Sequence, residues 1–421
     1  MIKSEKAENN TTKPFFNTTI PSDWEVKTVD EIALKEKGSI KIGPFGSQLK
    51  KEEFVENGVK VYDQETAFNN NFNYGTNFIT EKKFQTLKSC ELKPGDLIIS
   101  MMGTIGASAI VPKDAPRGIL NSHLLRVRPD KSIISEEFLK ISISDSPFTV
   151  NQIKRKSHGG IMSGLSAGIM KSVEIILPPL SEQRAIALVL CLMDTAINQN
   201  NQLIAQKELR KKWLMQNLLT GKKRLNGFDG EWKKERLENY LVKHDEKSTS
   251  SNQYPVLTSS RRGIFLQSEY YTRDVASENN TGYNVVPRGY FTYRHMSDDL
   301  IFKFNVNDIV DKGIVSTLYP VFTVKNIDQY FLLCKLNEGN EFKIHAQEQK
   351  QGGSRTYVYF KTLCQLKLNL PLLEEQTAIA HVLKAADKEI QLLKAKADKL
   401  REQKKGMMQV LLTGKKRLKI N

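Results

Sequence analysis

The chain has little of what metal, redox and membrane chemistry need. Its four cysteines, Cys90, Cys191, Cys334 and Cys364, lie far apart, and its six histidines form no partnering pattern. Neither a disulfide framework nor a zinc site is expected, and the thiols are read as buried or half-buried. There is no apolar run of about 18 residues, which excludes a spanning helix by this criterion. The polar start, Met1-Ile2-Lys3-Ser4-Glu5, lacks a signal core, so a cytoplasmic location is expected. Phosphate loops of the Gly-x-x-x-x-Gly-Lys-Ser/Thr type are missing, and so are Asn-Pro-Pro-aromatic or Asp-Pro-Pro-aromatic tetrads. Two nuclease-like fragments exist. Pro129-Asp130 precedes Glu136, Glu137 and Lys140 with a spacing one residue too long, and Glu341-Phe342-Lys343 lacks an upstream Pro-Asp.

What the chain does contain is a repeat. Leu177-Pro178-Pro179-Leu180-Ser181-Glu182-Gln183 recurs as Leu370-Pro371-Leu372-Leu373-Glu374-Glu375-Gln376. The match runs on without a gap to Leu218-Leu219-Thr220-Gly221-Lys222-Lys223-Arg224-Leu225 and Leu411-Leu412-Thr413-Gly414-Lys415-Lys416-Arg417-Leu418. One structural unit is therefore used twice, with a different long segment in front of each copy.

Within each copy apolar residues follow a heptad spacing without an internal proline. The first seam runs Ile186, Leu190, Met193, Ile197, Asn200, Ile204, Lys207, Lys211, Leu214 and Leu218. The second runs Ile379, Leu383, Ala386, Ile390, Leu393, Ala397, Leu400, Lys404, Met407 and Leu411. Each predicts a helix of about 39 residues, roughly 58 Å long. Gly221 and Gly414 stand where a left-handed cap belongs, and the basic residues after them suit the helix C-terminus. The two helices are expected to pair with each other as a coiled coil. Parallel pairing would put both long segments at one end, whereas antiparallel pairing puts one at each end about a pseudo-two-fold axis. The antiparallel form is the expectation.

The net charge of +16 points to a polyanionic partner, nucleic acid first. Its distribution is uneven: the repeats carry +5 and +6, each long segment only +2. If the long segments bind DNA, they must therefore do so through one polarised face with a few placed side chains. The long segments open alike, at Ile20-Pro21-Ser22-Asp23-Trp24 and Phe228-Asp229-Gly230-Glu231-Trp232. Beyond that they diverge, although both are rich in short β-like runs and turns. An α+β architecture follows: a disordered tail over 1–19, β-rich domains over 20–176 and 226–369, and helical regions over 177–225 and 370–421.

This order resembles the specificity (S) subunit of type I restriction–modification systems. The Leu-Pro-Pro-Leu-Ser-Glu-Gln and Leu-Leu-Thr-Gly-Lys-Lys-Arg-Leu stretches look like that family's conserved helical regions. The Trp openings, Gly95-Asp96-Leu97-Ile98-Ile99-Ser100 with Gly103-Thr104-Ile105-Gly106, and Gly313-Ile314-Val315-Ser316 resemble its target-recognition domains. The resemblance implies a non-catalytic chain in which each domain reads half of a bipartite asymmetric DNA site. The helices would set the spacer and dock two methyltransferase (M) subunits, and up to two restriction (R) motor-nuclease subunits would join. S-adenosylmethionine, ATP and Mg2+ would belong to those partners. Alternatives are a methylation-only complex without a restriction partner, a scaffold for acidic proteins, and a single-chain nuclease. Candidate DNA readers are polar, planar or bidentate groups on loops: Lys41, Gln48, Lys50, Arg155 and His158 in the first domain. In the second they are Ser260, Arg261, Arg262, Arg294, His295, Ser354 and Arg355.

Overall fold

A computed structural model describes residues 12–15, 18–102, 106–157, 165–270, 279–350 and 355–419. The chain divides into two compact units, Met1–Asn200 with Lys396–Asn421, and Asn201–Ala395. The division falls inside both long helices, so each unit owns one part of each.

In the first unit, strand Glu25–Thr28 pairs antiparallel with Glu174–Leu177, Glu25 opposite Leu177. The pair brings both ends of the segment together immediately before the first long helix. The segment expected as a tail contains a strand, Thr12–Phe15, paired with Thr18–Pro21. A four-stranded antiparallel sheet places Leu124–Val127 between Ile40–Ile42 and Leu97–Ser100, with Ser108–Ile110 at one edge. A second sheet holds the parallel pair Gly118–Leu120 and Val59–Tyr62. Trp24, Leu97, Ile99, Leu125, Phe138 and Leu139 form the core with Ile186 and Leu190 of the first long helix and Leu411 of the second.

The second unit repeats the closing device. Lys233–Arg236 pairs antiparallel with Lys367–Leu370, Lys233 opposite Leu370. Its four-stranded antiparallel sheet runs Leu241–His244, Val321–Val324, Phe291–Tyr293, Phe304–Val306. The core is aromatic: Phe291 stacks on Phe322 at 4.9 Å, and Tyr293 on Phe304 at 4.5 Å. Both units are thus α+β, as the run of short strands predicts.

The repeats form helices Leu180–Leu218 and Leu373–Leu411, each of 39 residues. All twenty seam positions are buried or half-buried. That group includes Ile186, Leu190, Ile197, Ile204, Leu214, Ile379, Leu383, Ile390, Leu393, Leu400 and Met407. Within the second unit, Lys207 meets Glu389 at 2.5 Å, Lys211 meets Asp387, and Lys394 meets Glu208 at 2.6 Å. Within the first, Lys404 meets Asp194 at 2.7 Å, and Arg417, just past the end of the second helix, meets Glu182 near the start of the first at 2.6 Å. Numbers rise on one helix as they fall on the other, so the helices run antiparallel in each unit. Lysines are tolerated on the seam because their stems cover apolar surface while each ammonium meets a carboxylate of the facing helix. Gly221 and Gly414 both adopt φ +69. Past them, the Lys223 and Lys416 N–H groups donate back to Asn217 O at 3.2 Å and Val410 O at 3.1 Å. Of the thiols, Cys90 and Cys334 are buried and Cys364 is intermediate. Cys191 departs from expectation: it is exposed on the outer face of its helix.

Candidate nucleic-acid interface

The repeated Glu-Gln pair explains how each helix holds its domain. The Glu182 carboxylate, 2% exposed, accepts from Arg417 at 2.7 and 2.6 Å and from the Trp24 indole at 3.2 Å. Arg417 also grips Asp23 at 3.0 and 2.9 Å. In the second unit Arg224 donates to the equally buried Glu375 at 2.5 and 2.6 Å. Gln183 accepts from the Ser135 N–H and donates to Ile133 O, while Gln376 accepts from the Asp328 N–H. The arginine of each Lys-Lys-Arg exit is therefore committed to a buried clamp. These same carboxylates hold Arg417 more firmly protonated, Glu182 first.

Candidate readers of the second unit gather on one face. A two-residue turn, Arg261-Arg262, joins strands Leu257–Ser260 and Gly263–Leu266. The Ser260 hydroxyl fixes that turn by accepting from the Arg262 N–H at 3.1 Å and donating to Gly263 O at 3.0 Å. Arg261 reaches Asp299 at 2.6 Å, and the Arg262 guanidinium lies 4.7 Å from the centre of the Tyr270 ring. Strand Met296–Ser297 pairs with Thr356–Tyr357, and one step further in that register Arg355 stands opposite Asp298, bonded at 2.9 Å. His295 packs 4.8 Å from Tyr359, which stacks on Tyr357 at 5.7 Å. Burial lowers the His295 pKa, so the neutral ring is favoured there. A shallow depression is lined by Ser260, Arg261, Arg294, Asp298, Lys303 and Tyr319. Arg294 is exposed at its rim. Ser354 lies outside the described residues.

Asp298, Asp299, Tyr357 and Tyr359 belong to this face, yet the sequence reading passes over them. The Tyr357-Val358-Tyr359 alternation, with Val358 fully buried, is the signal that could have found the tyrosines. The aspartates have no comparable mark, because their partners are distant in sequence.

The first unit gathers its candidates less. Lys41 is half-buried and donates to the Ser89 hydroxyl at 2.6 Å. Gln48 and Lys50 are exposed beside short 3-10 turns, and the Lys50 N–H donates to Glu53 at 2.7 Å. Arg155 is exposed on helix Pro147–Ser157. Among the described residues none of these four bonds another. His158 lies outside them.

The nuclease-like fragments have structural roles. Glu341 accepts from the buried Lys335, whose other bond goes to Leu219 O at 3.0 Å at the end of the first long helix. Asp130 caps its own turn through Ser132 at 2.6 and 3.0 Å. Among the described residues no three His, Cys, Asp or Glu side chains are grouped to hold a metal ion.

Comparison with known proteins agrees with this geometry. The family described as type I restriction modification DNA specificity domain matches residues 21–209 and 275–402. The type I restriction enzyme MjaVIII specificity subunit of Methanocaldococcus jannaschii is 23% identical, over 97% of this chain and 96% of that protein. A chain from a study of complex assembly and conformational transition of the type I R-M system aligns at TM-score 0.54 and 16% identity. The alignment covers 94% of this chain and 99% of that one. The type I restriction-modification S subunit from M. genitalium aligns at TM-score 0.53 and 12% identity, covering 98% and 100%. These two structural likenesses speak for the fold. This chain belongs to the type I restriction–modification specificity subunits, DNA-recognition proteins that carry no catalysis of their own.

Proposed function

We propose that each unit reads one half of a split, asymmetric DNA sequence and that the two long helices set the distance between the halves. The observation that carries this reading is the duplicated frame. The same strand pair, Glu-Gln anchor and arginine clamp hold two segments whose surfaces differ. A frame kept constant around variable faces suits two separate readings. Arginines on the face of the second unit have the planar fork that pairs with guanine O6 and N7, while phosphate contacts fix register. A helix of 39 residues is about 58 Å long, enough for up to about 17 base pairs at ~3.4 Å each.

Methylation and cleavage belong in this reading to partner subunits: methyltransferases using S-adenosylmethionine and, where present, a motor nuclease using ATP and Mg2+. Exposed apolar side chains along the helices, Leu188, Leu192, Leu209, Trp213 and Leu392, offer those partners a docking surface. Sequencing-based mapping of adenine methylation, in cells carrying this chain and its methyltransferase, tests the proposal. A motif of two short specified stretches separated by a fixed unread gap is expected. A contiguous palindrome, or no motif, contradicts it.

A further inference from the structure

The face that gathers the arginines of the second unit also carries two carboxylates, and their placement has its own consequence. We propose that Asp298 and Asp299 are specificity-determining residues, which hold Arg355 and Arg261 in the free protein and disfavour DNA that offers no hydrogen-bond donor in exchange. This rests on the reading of the second unit as a DNA-binding face.

Asp299 is fixed in place. It accepts from the Ser297 hydroxyl at 2.9 Å and the Ile301 N–H at 3.2 Å as well as from Arg261. Those bonds, that of Arg261 first, hold its carboxyl below the usual range, so it stays ionised. Asp298 is set by strand register directly across from Arg355. Both pairs are open to water, with side-chain exposures of 58% and 47% for Arg261–Asp299 and 53% and 63% for Arg355–Asp298. Exposed pairs of this kind add little to stability. An arginine can therefore leave its aspartate for a guanine edge or a phosphate at small cost.

The carboxylate left behind decides what that exchange is worth. Against a phosphate backbone it repels. Against an exposed cytosine amino group it accepts a hydrogen bond. Without the two aspartates, Arg261, Arg262, Arg294, Lys303 and Arg355 would attract any duplex, because phosphate attraction is independent of sequence. Discrimination can arise as much from penalising the wrong partner as from favouring the right one. Elsewhere in this unit Arg288 pairs with Asp311 at 3.0 Å, and Asp311 is 96% exposed and bonds neither Arg261 nor Arg355 among the described residues. That aspartate is a control for the loss of one charge, half of what the double variant loses.

The test uses the full chain in complex with its methyltransferase partners. Binding is measured to a duplex bearing the mapped motif and to one in which the half assigned to this unit is scrambled. For Asp298→Asn with Asp299→Asn, affinity for the scrambled duplex is expected to rise on the order of tenfold, while affinity for the intact motif changes little or falls. Asp311→Asn is expected to change neither. Asp298→Glu, which keeps the charge, is expected to keep scrambled-duplex binding low. An unchanged ratio in the double variant overturns the proposal. So does a rise in Asp311→Asn that reaches about half of the double variant's on a logarithmic scale, which would mean bulk charge alone, or a rise in Asp298→Glu. A parallel loss of both affinities would mean a purely structural role and overturns it as well. Failure of the underlying reading looks different: the unsubstituted complex would then bind both duplexes equally.

Discussion

Replacing Arg417 by alanine probes the clamp on which the frame depends. The Glu182 carboxylate is 2% exposed and receives two bonds from Arg417 and one from Trp24. Without the guanidinium it keeps only the indole. Removing one partner of a buried pair costs roughly 3–5 kcal/mol, because a charge remains buried without its match. Arg417 is 23% exposed, so water can partly enter and the lower end, about 3 kcal/mol, is expected. At ~2–4 °C per kcal/mol for a unit of this size, the melting temperature should fall by about 6–12 °C. Calorimetry reads this directly. Adding Glu182→Leu to Arg417→Ala removes the orphaned charge and should recover at least half of the loss. Arg224→Ala in the second unit should cost at least as much, because the buried Trp232 indole N–H has no partner among the described residues and Glu375 would lack the indole bond that Glu182 keeps. A loss below about 1 kcal/mol for Arg417→Ala would refute this reasoning, since the pair would then behave as an exposed one.

Gly414→Ala should destabilise its unit more than Gly221→Ala does. Both have φ +69, but a Cβ at Gly414 would lie 2.4 Å from Pro21, against 3.3 Å from Trp232 at Gly221; paired thermal melts check the ranking. His295 favours its neutral form because it is partly buried, so the folded state binds its proton less tightly than the unfolded state does. The second unit should therefore lose stability as pH falls below about 6.5. An NMR titration should place the His295 midpoint under that value, and a midpoint above it contradicts the burial argument. Inserting one heptad at facing positions of both long helices adds about 10.5 Å. Methylation mapping should then show a gap longer by about three base pairs with both half-sites unchanged.

The parts legible in the sequence are those written in local patterns. Constant offset and heptad spacing marked both helices to within a residue or two, and the Gly221 and Gly414 caps followed from position alone. The Trp24 and Trp232 openings signalled a shared frame, although not that each precedes a strand closed by the segment's far end. Arg261, Arg262, Arg294, His295 and Arg355 could be nominated from residue type and turn context. Their meeting on one face depends on strand Met296–Ser297 pairing with Thr356–Tyr357, about sixty residues on. No local pattern encodes that register, so the opposing Asp298 is hidden in the sequence, whereas the Tyr357-Val358-Tyr359 alternation leaves the stacked tyrosines a local signal. In the first unit the same criteria chose Lys41 and Arg155, which occupy a sheet strand and a separate helix. Residue type without register does not predict convergence.

The central claim is that the units read separate halves of one site. Mapping adenine methylation in cells whose chain carries Arg261→Ala and Arg355→Ala tests it most directly. Both substitutions lie on one face of the second unit. One half of the split motif is expected to become degenerate while the other half and the gap stay intact. Equal degradation of both halves, or an unchanged motif with uniformly weaker methylation, would contradict it.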